Sequence, residues 1–264
     1  MNFFYQAMKI TKQGIHQLIN RQMVMNERLG YLLKLVEEIR ADHPTLHSRA
    51  MYPMIQNICI GRDAFELFCK ENGFIIVKNR NFSRTTNSSG VVRFENLLQT
   101  MVLTGINQAW SSDITYYEVN GLFYYITFVM DCYSRRILGH YASKRLTTEE
   151  TTLPALRLAV KTRKTIPANL VFHSDGGGQY YDKQFLLFTA KHKMRNSMCE
   201  YAYENGKAER LNGTIKNNYL AFCSINSFPA LCKNLDRSVS LYNTSKPHKA
   251  LKLKSPIDYE KNIV

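Results

Sequence analysis

The chain has 264 residues, 45% of them hydrophobic and 12% aromatic, and its 35 Lys and Arg outnumber its 21 Asp and Glu for a formal charge of +14. This composition excludes wholesale disorder, and the apolar stretches are too short to span a bilayer. The positive charge favours nucleic acid as partner, because neutralising phosphates releases counterions. The six cysteines lack zinc-site spacing, so we expect free thiols in a reducing compartment.

The first region, residues 1–77, is predicted to be helical. Apolar residues recur at helical spacing over 26–40, and His43-Pro44 then ends that helix. Shorter apolar-periodic stretches lie upstream at 10–22 and downstream as far as Gly73. Short helices separated by tight breaks are typical of a helix-turn-helix unit, and also of three-helix bundles that bind no DNA.

A basic linker is predicted at 78–107, and strands follow it. The linker begins with a polar, basic stretch that has no hydrophobic period. Three segments rich in Tyr, Ile, Phe and Val then predict strands at 110–119, 121–131 and 135–143. Asn120-Gly121 predicts a type I′ hairpin between the first two, since both central residues of that turn need a positive φ.

Helices and strands alternate in the rest of the core region, 108–225. After a helix that starts at Thr147 or Thr148, the predicted elements are a strand at 168–173, a helix at 182–192, a strand at 195–199 and a helix at 206–222. This order predicts an α/β fold with a mixed sheet of five strands and flanking helices. Residues 226–264 are predicted to be a basic tail that packs on the core.

Three carboxylates fall where this order brings elements together. Asp113 lies within the first strand, Asp175 follows the fourth in a glycine-rich loop, and Glu209 lies in the first turn of a helix. Such a cluster suits divalent cations, which prefer oxygen ligands. Taken singly, each has a structural interpretation: a strand-end residue, a tight turn and a helix-dipole partner. Asp131 is expected to cap the turn at 132–134 rather than to bind metal.

Three ordered motifs carry a resemblance to a known family. They are Trp110-Ser111-Ser112-Asp113-Ile114-Thr115-Tyr116, His173-Ser174-Asp175-Gly176-Gly177-Gly178-Gln179-Tyr180 and Asn205-Gly206-Lys207-Ala208-Glu209-Arg210-Leu211-Asn212. In this order they resemble the DDE motifs of retroviral-type integrase cores, and most closely the transposases of IS3-family insertion sequences. The tail around Tyr242-Asn243 and Lys246-Pro247-His248, and the Gly61-Arg62-Asp63 region with its helix-turn-helix pattern, are also similar to that family.

The resemblance implies an RNase H-like fold preceded by a small all-α helix-turn-helix region. It implies that Asp113, Asp175 and Glu209 are catalytic and hold two Mg²⁺ ions, for which Mn²⁺ substitutes, with His173 and Gln179 in support. The implied activity is cleavage at the 3′ ends of an insertion sequence and strand transfer into target DNA. The 33 residues between Asp175 and Glu209 compare with a usual 35, so Glu200 and Glu204 stay as alternatives for the third carboxylate.

Basic residues concentrate beyond Glu209, with nine basic and two acidic residues in 205–254. We expect them to form a DNA groove that starts at the carboxylates, with Lys216 two turns along from Glu209 on the same helix face. The DNA-binding candidates are Lys207, Arg210, Lys216, Lys246, Lys249 and Arg62. The expected setting is a homo-oligomer on double-stranded DNA in the bacterial cytoplasm at the nucleoid, with an upstream frameshift-fused partner and no membrane contact. A metal-dependent nuclease without joining activity and a non-catalytic DNA-binding regulator are the alternatives.

Overall fold

The structure is a computed structural model that describes residues 11–76, 94–199 and 202–263. The chain forms two compact units, 1–79 and 80–264. The polar start of the predicted linker and the alternative carboxylate Glu200 lie outside the described residues. Within the described ranges, no helix combines the length and the apolar composition that a membrane span requires. All six cysteines are free thiols.

The N-terminal unit is helical, as its periodicity predicts. It contains α1 (Lys12–Asp42), α2 (Ser48–Met51) and α3 (Arg62–Glu71). Their apolar faces enclose a small core that includes Leu32, Val36, Met51, Phe65 and Cys69. The two helices expected at 10–22 and 26–40 are one continuous helix, because no proline interrupts 12–42 and isolated glycines such as Gly14 and Gly30 are tolerated inside a helix.

The second unit contains the predicted five-stranded mixed sheet. Its strands are β1 (Ala109–Val119), β2 (Leu122–Asp131), β3 (Ile137–Ser143), β4 (Val171–Ser174) and β5 (Arg195–Met198). The strand order is β3-β2-β1-β4-β5, with β1 antiparallel to β2 and parallel to β4. β1 is therefore the central strand and has β4 as its parallel neighbour.

Two local predictions about turns are confirmed. Asn120 and Gly121 have φ values of 52° and 78°, the left-handed backbone that a type I′ turn requires. Asp131 is fully buried, and its Oδ1 accepts hydrogen bonds from the backbone N–H groups of Tyr133 at 2.9 Å and Ser134 at 3.0 Å. Both turns follow from residues within three positions, so the sequence specifies them.

Helices cover both faces of the sheet. On one face lie α4 (Thr152–Arg163) and α5 (Lys183–Lys191), over a core that includes Trp110, Leu156 and Phe172. On the other face lie α6 (Gly206–Asn218) and α7 (Phe228–Thr244), over a core that includes Phe128 and Ile215. The short α8 (Pro256–Lys261) follows α7, and its Glu260 accepts hydrogen bonds from Arg136 and Arg163.

Two predicted helix bounds are wrong. α4 begins at Thr152 rather than beside Thr147 or Thr148, because residues 147–151 first form a turn in which the Thr151 N–H donates to the Thr147 carbonyl at 2.9 Å. α6 ends at Asn218, and a 3₁₀ turn over Leu220–Phe222 follows. Tyr219 and Leu220 still pack on the core, which is why the apolar spacing suggested a longer helix.

Candidate active site

The sheet places Asp113 and Asp175 at the same level on neighbouring strands. Ser111 of β1 is paired with His173 of β4, and each aspartate lies two residues beyond its paired position. Since adjacent strands lie about 4.8 Å apart and side chains alternate between faces, both carboxyl groups come to one side of the sheet. This juxtaposition agrees with the prediction that the first and fourth strands are neighbours.

Asp113 is held by hydrogen bonds to both of its oxygens. Oδ1 accepts from the Ile114 N–H at 2.9 Å, and Oδ2 accepts from Asn212 Nδ2 at 2.7 Å. Burial, followed by repulsion from Asp175, raises the pKa of Asp113 to about 8, and Glu209 adds to the repulsion. Of the three carboxylates selected from the sequence, Asp113 is therefore affected electrostatically by both of the others.

Asp175 is supported by the glycine loop that follows it. Its Oδ1 accepts a hydrogen bond from the Gly177 N–H at 3.2 Å, and burial raises its pKa. A Cβ at position 177 would lie 3.1 Å from that oxygen and 3.2 Å from Gln179 Oε1, so glycine allows the close approach. Gln179 Nε2 donates to the Leu146 carbonyl, which fixes the loop rather than reaching the aspartates.

His173 is fully buried beneath the site. Its Nδ1 lies 3.0 Å from Ser197 Oγ, and that hydroxyl also accepts from the Leu97 N–H at 2.9 Å. Burial lowers the pKa of His173 to about 4, so the imidazole is neutral at physiological pH. The side chain thus connects β4, β5 and the segment before β1.

Helix α6 carries Glu209, which is predicted to be the third carboxylate. Glu209 lies in its first turn with an exposed side chain, and it is an acidic neighbour that affects Asp113. Glu204 acts instead on His173 and Cys199. Of these two glutamates, Glu209 is the one that acts on Asp113, and it stays the prediction for the third carboxylate.

One helix face carries Glu209, Asn212 and Lys216, at spacings of three and seven residues. Asn212 bonds to Asp113, and Lys216 Nζ donates to Thr115 Oγ1 at 3.3 Å, two positions along β1 from that aspartate. Burial lowers the pKa of Lys216. Sequence reasoning missed Asn212, although its spacing from Glu209 on a helix could have identified it.

The other predicted DNA-binding residues lie in a separate pocket or in the N-terminal unit. Lys207, Arg210, Lys246 and Lys249 line one pocket on another side of α6. Arg62 lies in the N-terminal unit at the first residue of α3, where its Nε is 3.2 Å from Asp63 Oδ1. The structure therefore divides the expected groove: Lys216 lies beside the carboxylates, and the pocket residues do not.

The donor set fits a hard divalent cation. Asp113 and Asp175 supply half-buried carboxylate oxygens, and the buried Oδ1 of Asn212 has no hydrogen-bond partner in the described part of the chain. In that same part, no group of three or more His, Cys, Asp or Glu side chains is arranged to hold a metal ion. Because Glu209 is exposed, packing does not fix its side chain.

The chain is similar to integrase core domains and to proteins of insertion elements. Two family models, both described as an integrase core domain, match residues 104–203 and 192–256. The chain is 27% identical to the insertion element IS600 uncharacterized 31 kDa protein of Shigella sonnei, over 95% of each. It is 32% identical to the transposase InsF for insertion sequence IS3A of Escherichia coli, over 56% of this chain and 52% of that protein.

A solved structure supports the fold independently. The simian T-cell lymphotropic virus intasome, determined in complex with PP2A regulatory subunit B56 gamma, aligns with a TM-score of 0.52 at 17% identity. The alignment covers 81% of this chain and 74% of that one. At this identity the likeness concerns the fold alone.

Proposed function

Because the chain belongs to the IS3-family transposases with an integrase-like core, and is thus a polynucleotidyl transferase, we propose that it cuts the 3′ ends of an insertion sequence and joins them to target DNA. The observation that carries the proposal is the convergence of three carboxylates from separate elements: Asp113 and Asp175 lie at one level on neighbouring strands, and Glu209 of α6 acts with Asp175 to raise the pKa of Asp113. A structural role would leave such a cluster paired with cationic side chains.

The proposed reaction has two in-line displacements at phosphorus. In the first, a water oxygen attacks the phosphodiester at the element's end, the P–O3′ bond breaks and a free 3′-hydroxyl remains. In the second, that hydroxyl attacks a phosphodiester of the target, and the target's own 3′-oxygen leaves. One bond forms and one breaks in each step, so no external energy source is needed. Two bound Mg²⁺ or Mn²⁺ ions would polarise the attacking and leaving oxygens.

The chain's own residues have distinct roles in this proposal. Asp113, Asp175 and Glu209 would hold the ions, and Asn212 keeps the Asp113 carboxylate oriented through its 2.7 Å hydrogen bond. Lys216, which is half-buried over β1, holds a phosphate of the DNA strand beside the carboxylates. His173 and Gln179 are positioning residues that fix β4 and the glycine loop.

The wider setting is also part of the proposal. We expect double-stranded DNA as both donor and target, and a homo-oligomer that brings two element ends together. An upstream frameshift-fused partner would assist end recognition, with Arg62 of the N-terminal unit as a further DNA contact. The expected location is the bacterial cytoplasm, at the nucleoid.

A strand-transfer assay tests the function. A labelled, pre-cut element end is incubated with a plasmid target and Mg²⁺ or Mn²⁺, using the wild type, Asp175→Asn and the exposed control Asp236→Asn. Joined product from the wild type and the control, and none from Asp175→Asn, is the expected result. Cleavage without joining indicates a nuclease, and DNA binding without metal-dependent chemistry indicates a regulator; either outcome contradicts the proposal.

The third carboxylate needs its own comparison. Glu209→Gln should abolish joining while DNA binding stays within about twofold of the wild type, because one charge on an exposed side chain contributes little to affinity. Glu204→Gln should keep its activity. The opposite pattern would assign the third ligand to Glu204.

A further inference from the structure

A second charged feature lies on α6 away from Asp113. A pocket of about 650 Å³ opens between α6, the end of β2 and the segment after α7. Five cationic side chains line it and no acidic one does: Arg135, Lys207, Arg210, Lys246 and Lys249. Apolar groups, among them Leu211, Tyr242 and Pro247, complete its wall. We call this feature the basic pocket.

Helix geometry separates the basic pocket from the carboxylates. At about 100° per residue, Lys207 and Lys216 point about 180° apart around α6. Lys207, Arg210 and Thr214 line the pocket, and Asn212 and Lys216 instead contact β1. The basic pocket and Asp113 therefore lie on opposite sides of α6.

The cations of the basic pocket lack a counter-charge within the described residues. Burial lowers the pKa of Lys207 and of Lys246, and none of the ion pairs found in 11–76, 94–199 and 202–263 involves a pocket cation. Asp131 is near Lys207, but its carboxylate already accepts from three backbone N–H groups and from Arg163. Five cations around one cavity repel one another unless an anion binds there.

Arg135 lies at a turn position with a left-handed backbone conformation beside the basic pocket. Arg135 has a φ of 62°, a left-handed conformation that favours glycine or asparagine. Its N–H donates to the Asp131 carbonyl at 2.9 Å, a bond that any residue except proline could make. The turn therefore does not require an arginine at position 135, and the side chain lines the basic pocket.

We propose that the basic pocket binds backbone phosphate of a DNA segment other than the one whose phosphodiester reacts at Asp113. Two arginine guanidinium groups can each bind a phosphate through paired hydrogen bonds, and the apolar wall can pack on a sugar. The volume is in the range of sites that hold nucleotide-sized ligands, about 300–1,000 Å³. The inference rests on the proposed function, since it takes DNA as the substrate.

The test uses a variant that should fold well. Arg135→Gly removes the guanidinium and relaxes the left-handed backbone, so its unfolding midpoint should not fall. Lys252→Gly is the matched control, because Lys252 is an exposed cation with a φ of 55° that does not line the pocket. Affinity for a labelled duplex is measured by fluorescence anisotropy at several salt concentrations in EDTA, where catalysis is absent.

For Arg135→Gly we expect about tenfold weaker binding and a loss of about one unit in the slope of log affinity against log salt. Lys252→Gly should match the wild type. Nicking of a single end at saturating DNA should persist in Arg135→Gly, and joining to the target should fall about tenfold.

Several outcomes would overturn the assignment. If Arg135→Gly has the same duplex affinity and salt slope as the wild type, the basic pocket does not bind DNA phosphate. Loss of nicking at saturating DNA would place the pocket on the reacting strand. If inorganic phosphate at constant ionic strength raises the unfolding midpoint of the wild type but not of Arg135→Gly, and duplex affinity is equal, the ligand is free phosphate. If the wild type lacks all metal-dependent chemistry, the proposed function fails, and the binding measurements in EDTA still decide the pocket.

Discussion

Removing the charge of Asp113 should stabilise the metal-free protein at alkaline pH. The carboxylate is desolvated and lies beside Asp175 and Glu209, which raises its pKa from 3.8 to about 8. Since the folded pKa exceeds the unfolded one, the contribution of this group to stability is present below about pH 4 and is lost as the pH rises through about 8. Asp113→Asn abolishes that pH dependence because an amide does not titrate.

The size of the effect follows from the pKa difference. A pKa difference of about four units changes the free energy of unfolding by at most about 6 kcal/mol, at about 1.4 kcal/mol per unit. Asp113 keeps some solvent exposure, so we take about half, or 2–3 kcal/mol, at pH 8 in EDTA. The new amide can still accept from the Ile114 N–H, and Asn212 can turn its unpartnered Oδ1 toward it.

The single tryptophan provides the measurement. Trp110 is fully buried in the core under β1, so its fluorescence during urea unfolding reports on this unit. Free energies of unfolding are compared at pH 5 and pH 8, in EDTA, for the wild type, Asp113→Asn and the control Glu118→Gln, an exposed carboxylate on the same strand. Saturating Mg²⁺ at about 100 times its Kd should return about 2.7 kcal/mol to the wild type at pH 8 and less to Asp113→Asn.

Two results would refute this reasoning. One is a wild type whose stability relative to Asp113→Asn is the same at pH 5 and pH 8. The other is an Asp113→Asn variant that is less stable than the wild type at pH 8 in EDTA. In either case the carboxylates would not repel one another as the structure indicates, and the electrostatic basis of the proposed site would be lost.

Three further changes test the fold and the DNA contact. Gly139→Ala should cost about 1–3 kcal/mol in the same fluorescence assay, because its Cβ would lie 2.0 Å from the Ala155 carbonyl oxygen; an unchanged midpoint would contradict the close packing of β3 on α4. Glu260→Ala should lower the free energy of unfolding by about 3–5 kcal/mol, because it leaves Arg163 buried with its main partner removed. A decrease below about 1 kcal/mol would contradict the dependence of Arg163 on Glu260. Lys216→Ala should weaken duplex binding and lower the slope of log affinity against log salt by about one unit. A slope equal to that of the wild type would show that Lys216 does not contact DNA phosphate.

Most of the fold could be predicted from the sequence because its signals are local. The type I′ hairpin at Asn120-Gly121 depends on two adjacent residues that tolerate a positive φ. The turn after Asp131 depends on side-chain bonds across three positions. Periodicity placed the strands and the order of helices, but it misjudged the continuity of α1 and the start of α4, where several local conformations suit the same residues.

By itself the sequence determined which carboxylates to consider, their order along the chain and the sign of the surface charge. Only the tertiary structure decided that Asn212 bonds to Asp113, 99 positions away, and that α6 presents Lys216 to β1 but Lys207 and Arg210 to a different pocket. The physical reason is that charge and hydrogen-bonding capacity belong to single residues, whereas a shared site depends on which faces pack together. Burial then sets the protonation of Asp113, because desolvation exists only once β1, β4 and α6 have assembled.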